Sequence, residues 1–398
     1  MAVARHACAT KLCVQSGSND DTQAPATRAA YEIRCARAIR AWKESGYQGE
    51  ALNDSEARDD VELTELSPEE TGFATWVRST GNPAAYLDPD GTPRGTATLA
   101  VPMSGTPDNF VALYLHGGGY RKYKPTDGYV AAVSTWLAAV CVAPVLTIDY
   151  RLAPEFDAAS HAAIDDVHHA LHWLRLRYPA AKIFVIGDSA GAGLALSSTY
   201  ALLTGGIVGA AQARVHPPDL PAGLCLLSPY IDLTMNSPGF ENAMFNPETG
   251  SGDIFYTNHD GSSNADTDRD WLRNRAMDYI GHLSPDDPLC SPTFIPDAAL
   301  ARFPPILALV GGAEVFLQET WQFIDRAVTA GARAKLMVFD RMWHDWFNFC
   351  NLPSKIGTSG GSTSQHLSAA VEAYEALSAW VRSLSFGGTY CSEPKETR

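Results

Sequence analysis

Short apolar runs alternate with longer stretches of helical periodicity over the middle and end of the chain. Phe110–Leu115, Val140–Ile148, Lys182–Ile186, Gly223–Leu227, Pro305–Val310 and Ala334–Phe339 are rich in β-branched and other apolar residues. Between and after them, residues 157–177, 190–203, 317–330 and 366–384 read as helices, with Pro179 just beyond the first of these. Strands alternating with helices in this way predict an α/β fold with a mostly parallel sheet covered on both faces. Upstream, residues 27–45 read as an amphipathic helix carrying Tyr31, Cys35, Ala38, Ile39 and Trp42 on one face. Residues 1–24 are small and polar and are expected to be poorly ordered. Residues 46–70 are acidic and loop-like. Residues 71–110 hold many Gly, Pro, Asp and Asn between β-like runs at Phe73–Val77 and Ala97–Val101.

The alternation breaks once. Residues 232–283 are rich in Asn, Asp, Ser and Gly with scattered aromatics. A structureless loop of ~50 residues inside a compact domain is uncommon, so an inserted lid with a helix at Asp270–Ile280 is expected. The resulting division places a core at 96–231 and 284–385. The insertion occupies 232–283, a cap segment and lead-in 1–95, and a tail 386–398.

Composition narrows the classes. Of 398 residues, 45% are hydrophobic and 19% charged, which is too apolar for a disordered chain and enough for a large core. Lys and Arg number 30 against 45 Asp and Glu, a net charge of −15, with no basic run. Nucleic acid and anionic membrane surfaces are poor partners for such a balance. No apolar run approaches the ~18 residues that span a bilayer, and the start lacks a signal-peptide core. The expectation is a soluble, cytoplasmic protein without stable membrane insertion. The eight cysteines form no CxxC pair and have no His at zinc spacing, so neither a metal nor a disulfide framework is expected. Cys141 and Cys225 lie in apolar runs and read as core residues.

Chemistry concentrates in a few places. Gly187-Asp188-Ser189-Ala190-Gly191 sits between the strand KIFVI and the helix AGAGLALSS. That context is the strand–turn–helix of a nucleophile elbow, in which the positions two before and two after the serine must be small. His116-Gly117-Gly118-Gly119 directly follows the strand FVALYL. Glycines there let the Gly117 and Gly118 amides, with that of Ala190, approach a developing oxyanion. A serine nucleophile needs a base, and the base needs an orienting carboxylate. In the order serine, acid, histidine, His344 and His366 are the histidines beyond any candidate acid. His344 follows the strand AKLMVF, whereas His366 opens the last helix and reads as a surface residue. Glu314 is the first carboxylate past PPILALV. Glu319 and Asp325 fall on the following helix, and Asp340 and Asp345 lie too near His344 in sequence. Tyr120, Tyr123 and Trp343 adjoin these motifs and are candidates to line a substrate pocket.

HGGG at 116–119, Tyr150-Arg151-Leu152-Ala153-Pro154-Glu155, GDSAG at 187–191, and Asp287-Pro288-Leu289 with Ser291-Pro292 occur in that order. Together they resemble the hormone-sensitive lipase family of α/β-hydrolases, whose members are esterases, lipases and deacetylases. The resemblance runs from about residue 110 to 347. It implies an eight-stranded, mostly parallel sheet flanked by helices. It also implies a cap built from the N-terminal region and a segment inserted after the sixth strand. By it, Ser189 is the nucleophile, His344 the base, and Glu314 stands where the family usually places the Asp of an Asp-Pro-Leu segment. Asp345 stands where Gly commonly follows the histidine. YRLAPE reads as structural support for the site. The expected activity is a carboxylesterase on short-to-medium acyl esters of small molecules, with no metal or organic cofactor, in a monomer or homodimer. An amidase or deacetylase with the same triad is the near alternative. Plant gibberellin receptors resemble the family but lack the catalytic histidine, which is present here. The Asn/Asp-rich stretch 246–270 could serve as a partner surface or a cap loop.

Overall fold

A computed structural model describes residues 13–15, 57–72, 95–105, 109–205, 220–237, 265–340, 342–349 and 368–385, and the single residues 239 and 253. The expected helix at 27–45, the run Phe73–Val77, His366 and most of the stretch 246–270 lie outside them. Among the described residues nine strands form one sheet: β1 (Cys13–Gln15), β2 (Val61–Leu66), β3 (Ala97–Pro102), β4 (Phe110–Leu115), β5 (Val145–Ile148), β6 (Lys182–Asp188), β7 (Gly223–Leu227), β8 (Ile306–Gly311) and β9 (Ala334–Phe339). Their spatial order is β1-β9-β8-β7-β6-β4-β5-β3-β2. The eight strands implied by the resemblance are β2–β9. The three-residue β1 adds a ninth, paired in parallel with β9 at one edge. β2 and β3 run antiparallel, and every pair from β5 through β4, β6, β7 and β8 to β9 is parallel.

The central strands are buried on both faces, which is why they read as unbroken apolar runs. Helices cover both sides. On one lie α1 (Gly128–Cys141) and α7 (Ser368–Ser385), whose Val133, Leu137, Tyr374 and Leu377 pack on Phe184, Ile186 and Cys225 of the sheet. On the other lie α2 (Ala162–Arg177), α3 (Ala190–Thr204) and α6 (Leu317–Ala330), with Val167, Leu171, Leu194 and Phe323 on Val111, Val185 and Leu226. The remaining helices are α4 (Ala265–Ile280), within the insertion, and the single turn α5 (Asp297–Leu300).

Several elements depart from the sequence reading, among them β1, which lies within the stretch 1–24 expected to be poorly ordered. The acidic stretch 46–70 contains β2, whose Val61 and Leu66 are buried while Glu62 and Glu65 face solvent. Only the two ends of the strand are buried, Val61 on one face of the sheet and Leu66 on the other, so no two-residue alternation marks it in the sequence. The apolar run 140–148 is two elements. α1 continues to Cys141, Val142 turns left-handed at φ 54°, and β5 begins at Val145. α1 lacks a polar face because it is sandwiched between the sheet and α7, so its residues show no amphipathic period. Helix α4 begins at Ala265, one turn and more before the expected Asp270. No helix among the described residues is long and apolar enough to cross a membrane.

Candidate active site

The parallel strands deliver their chemistry at their carboxyl ends, the usual place for a site in an open α/β sheet. β6 ends at Asp188, and Ser189 makes the turn into α3 at φ 48° and ψ −117°. A side chain with positive φ is strained, and the turn tolerates nothing large around it. A Cβ on Gly187 would lie 2.4 Å from the Gly191 carbonyl oxygen, and one on Gly191 would lie 2.0 Å from that of Leu115. Four backbone bonds hold the serine. Its amide donates to Leu227 O at 2.9 Å, and its carbonyl accepts from the amides of Ala192 (3.1 Å), Gly193 (3.2 Å) and Tyr230 (3.0 Å).

The loop after β4 packs against this turn. A Cβ on Gly117 would lie 3.1 Å from the Ser189 Cβ and 2.4 Å from Asp188 Oδ2. Gly118 has φ +101° and Gly119 φ +62°, backbone that glycine adopts at least cost. Ala190 is the first residue of α3, so its amide has no intrahelical acceptor. Gly117 and Ala190 therefore flank Ser189, with Gly118 next to Gly117 in the same loop. YRLAPE underpins the loop as expected: Tyr150 Oη donates to His116 O at 2.7 Å, and the Ala153 amide donates to Tyr120 O at 2.8 Å. Arg151 forms a buried ion pair with Asp166 at 2.7 Å, and the Ala153–Pro154 bond is cis. Burial pushes the His116 imidazole down to about 4, so the ring is neutral at pH 7 and donates through Nδ1 to Gly117 O.

Glu314 and His344 arrive on the loops after β8 and β9. These loops are tied together by the Ala313 amide donating to Met342 O (2.9 Å) and the Gly312 amide to Phe339 O (2.7 Å). His344 Nε2 lies 2.9 Å from Ser189 Oγ, and its Nδ1 lies 3.2 Å from Glu314 Oε2. All three side chains are buried. Burial pushes the Glu314 carboxyl up to about 7, against the hydrogen bonds from His344 and Ser228 that favour its charged form. Burial disfavours the imidazolium of His344, but the Asp345 and Glu314 carboxylates outweigh it and hold His344 well above its ordinary value.

Two supporting residues were not found from sequence. Ser228, just past β7, donates to Glu314 Oε1 at 2.6 Å and accepts the Asp345 amide at 3.0 Å. Asp253, in the insertion, accepts the His344 amide at 2.9 Å and the Val315 amide at 2.7 Å. Ser228 could have been suspected as a polar residue at the carboxyl end of a core strand. Nothing local distinguishes Asp253 from its acidic neighbours.

The aromatic candidates separate. Tyr120 is buried, stacked on Tyr279 of α4 with centroids 3.7 Å apart. Trp343 is buried in the core cluster with α1 and α7. Tyr123 is half-buried, its ring against Gly118, where a Cβ would lie 2.6 Å away. Arg121 pairs with Asp278, so two side chains of the loop after β4 meet α4 of the insertion. Among the described residues no group of three or more His, Cys, Asp or Glu could hold a metal ion. Cys141 and Cys225 are free and buried, as their apolar contexts suggested, and so is Cys290.

A family model described as alpha/beta hydrolase fold matches residues 112–348. An esterase of Acinetobacter venetianus is 30% identical over 238 residues, covering 60% of this chain and 67% of that protein. A carboxylesterase/phospholipase of Mycobacterium tuberculosis, LipF, is 29% identical over 235 residues, covering 59% of this chain and 55% of LipF. A solved esterase of the bacterial hormone-sensitive lipase family superposes with a TM-score of 0.61 at 26% identity, covering 90% of this chain and 99% of that one. With the elbow, the glycine loop and the order of its site residues, this chain belongs to the α/β-hydrolase family, among the hormone-sensitive-lipase-like esterases.

Proposed function

We propose that the chain is a serine carboxylesterase acting on short-to-medium acyl esters of small molecules. The observation that carries this reading is the buried relay from Ser189 Oγ through His344 to Glu314, at 2.9 Å and 3.2 Å. Its order and spacing fit a nucleophile, a base and an orienting carboxylate. Ser189 Oγ attacks the ester carbonyl carbon as its proton passes to His344 Nε2. The carbonyl electrons move to oxygen, and the amides of Gly117, Gly118 and Ala190 receive the oxyanion, each such donor being worth roughly 2.7–4 kcal/mol in the barrier. Collapse breaks the bond to the alcohol, which leaves with the proton from Nε2. Water then repeats the sequence on the acyl-serine and releases the acid. Glu314 keeps the other imidazole proton on Nδ1 throughout. Tyr123, half-buried beside Gly118, is the aromatic candidate whose position best suits a pocket wall, whereas the burial of Tyr120 and Trp343 suits packing.

Hydrolysis of a p-nitrophenyl ester series from acetate to laurate, by wild type and Ser189→Ala, tests the reading. Turnover abolished in Ser189→Ala supports it, and the chain-length optimum sizes the acyl site. Turnover of p-nitroanilides but no ester would move the assignment to an amidase using the same relay. No turnover of either by folded protein would favour a non-catalytic binder.

A further inference from the structure

His344 Nε2 has a second neighbour that the relay does not use. Asp345 Oδ2 lies 3.2 Å from it, on the same atom that faces Ser189 Oγ. Asp345 is held in this position at φ 58°, with its amide bound to Ser228 Oγ. Its other oxygen, Oδ1, is enclosed and accepts no hydrogen bond. A base ready to accept the serine proton presents a lone pair at Nε2. A carboxylate oxygen at 3.2 Å presents another, and two lone pairs at that distance repel. The contact is favourable only with a proton between the two atoms.

We propose that Asp345 is a positioning residue that retains a proton on His344 Nε2 in the resting enzyme and so sets the pH above which the base is free to act on Ser189. This rests on the serine-esterase reading above. In the resting form the Nε2–H has two acceptors, Ser189 Oγ and Asp345 Oδ2. One proton leaves to solvent to give the neutral imidazole, and attack by Ser189 then returns a proton to the same nitrogen. The surroundings favour the held proton. Glu314 faces Nδ1, and Asp253 sits on the His344 amide. The Asp188 carboxyl, at the end of β6, is held well above its ordinary value by burial and by Asp345, with Tyr114 donating to its Oδ1 at 2.7 Å. The Tyr129 hydroxyl of α1 also lies within the field of Asp345 and Asp188.

The test is the pH profile of kcat/KM on p-nitrophenyl acetate for wild type, Asp345→Asn and Asp345→Gly, with melting temperatures as fold controls. Both replacements tolerate a left-handed backbone. In parallel, the His344 ring is titrated by NMR in 15N-histidine-labelled protein. The expected result is an acid limb and an imidazole titration that both fall by about one pH unit or more in the two variants, the scale on which a nearby opposite charge moves a pKa. Activity on the acid side then rises above wild type, which loss of packing alone would not produce. An imidazole that titrates at the wild-type pH in both variants overturns the proposal. Absence of Ser189-dependent turnover in wild type would overturn the esterase reading instead, and the NMR titration would still decide the role of Asp345.

Discussion

Ser228 Oγ donates to Glu314 Oε1 at 2.6 Å, so the carboxylate facing His344 is fixed from the strand between the nucleophile and the acid. Glu314 Oε1 also accepts the Gly311 amide at 2.7 Å, which leaves Oε2 for the imidazole. Ser228→Ala removes a bond to a charged group, worth about 1.5–3 kcal/mol. The expected outcome is a kcat lower by roughly ten- to a hundred-fold with KM little changed. Steady-state kinetics on a p-nitrophenyl ester checks it, and a changed KM with intact kcat would contradict the positioning role.

Asp253 joins the loops that carry Glu314 and His344 by accepting the amides of Val315 and His344, 62 and 91 positions along the chain. Replacement by Ala leaves both donors without that acceptor, whereas Asn retains one acceptor oxygen. The expected order of kcat is wild type, Asp253→Asn, Asp253→Ala, with the last down by about ten-fold or more, as for a lost hydrogen bond of 1–3 kcal/mol. Equal activity in all three would show that the insertion does not steady the relay.

The elbow tolerates no Cβ at its flanks. At Gly191 the added atom would lie 2.0 Å from the Leu115 carbonyl oxygen and 2.7 Å from that of His116. Both are backbone atoms of β4 and the loop it leads into, and neither can swing away. Gly191→Ala is expected to cost more than about 4 kcal/mol and to fail as soluble protein at 37 °C, the range reached only by severe steric or burial defects. Gly105→Ala, where nothing lies within 4 Å, is the control despite its positive φ. It is expected to express normally.

Asp165, in the first turn of α2, is pushed up to about 6 by burial and by the neighbouring Asp166, with Arg151 opposing. Its ordinary value is 3.8. Between those values the folded chain holds a proton that the unfolded chain has released. Stability therefore falls as pH rises through the window and stays reduced above it. Asp165→Asn removes this loss. The variant is expected to gain about 2 kcal/mol over wild type at pH 7 relative to the difference at about pH 4, measured by urea unfolding. A pH-independent difference would refute it.

The parts legible in sequence were those whose chemistry is local. Gly187 and Gly191 mark the elbow because the turn itself excludes side chains, and Glu314 and His344 follow from strand order. β2 was hidden because only its end residues Val61 and Leu66 are buried, on opposite faces, and Glu62, Thr64 and Glu65 between them break any two-residue alternation. α1 was hidden because burial on two sides erased its polar face. Ser228, Asp253 and the second contact of Asp345 depend on residues 86, 91 and 62 positions away, or on which way one side chain turns, and no short window of sequence contains that information.

The Ser189 carbonyl receives three amides while its own amide is tied to β7. In the proposed mechanism, an acyl group arriving on Oγ and departing again pivots on a peptide tied on both sides. The same anchoring predicts that a covalent inhibitor on Ser189 leaves the backbone of residues 187–193 where it already is.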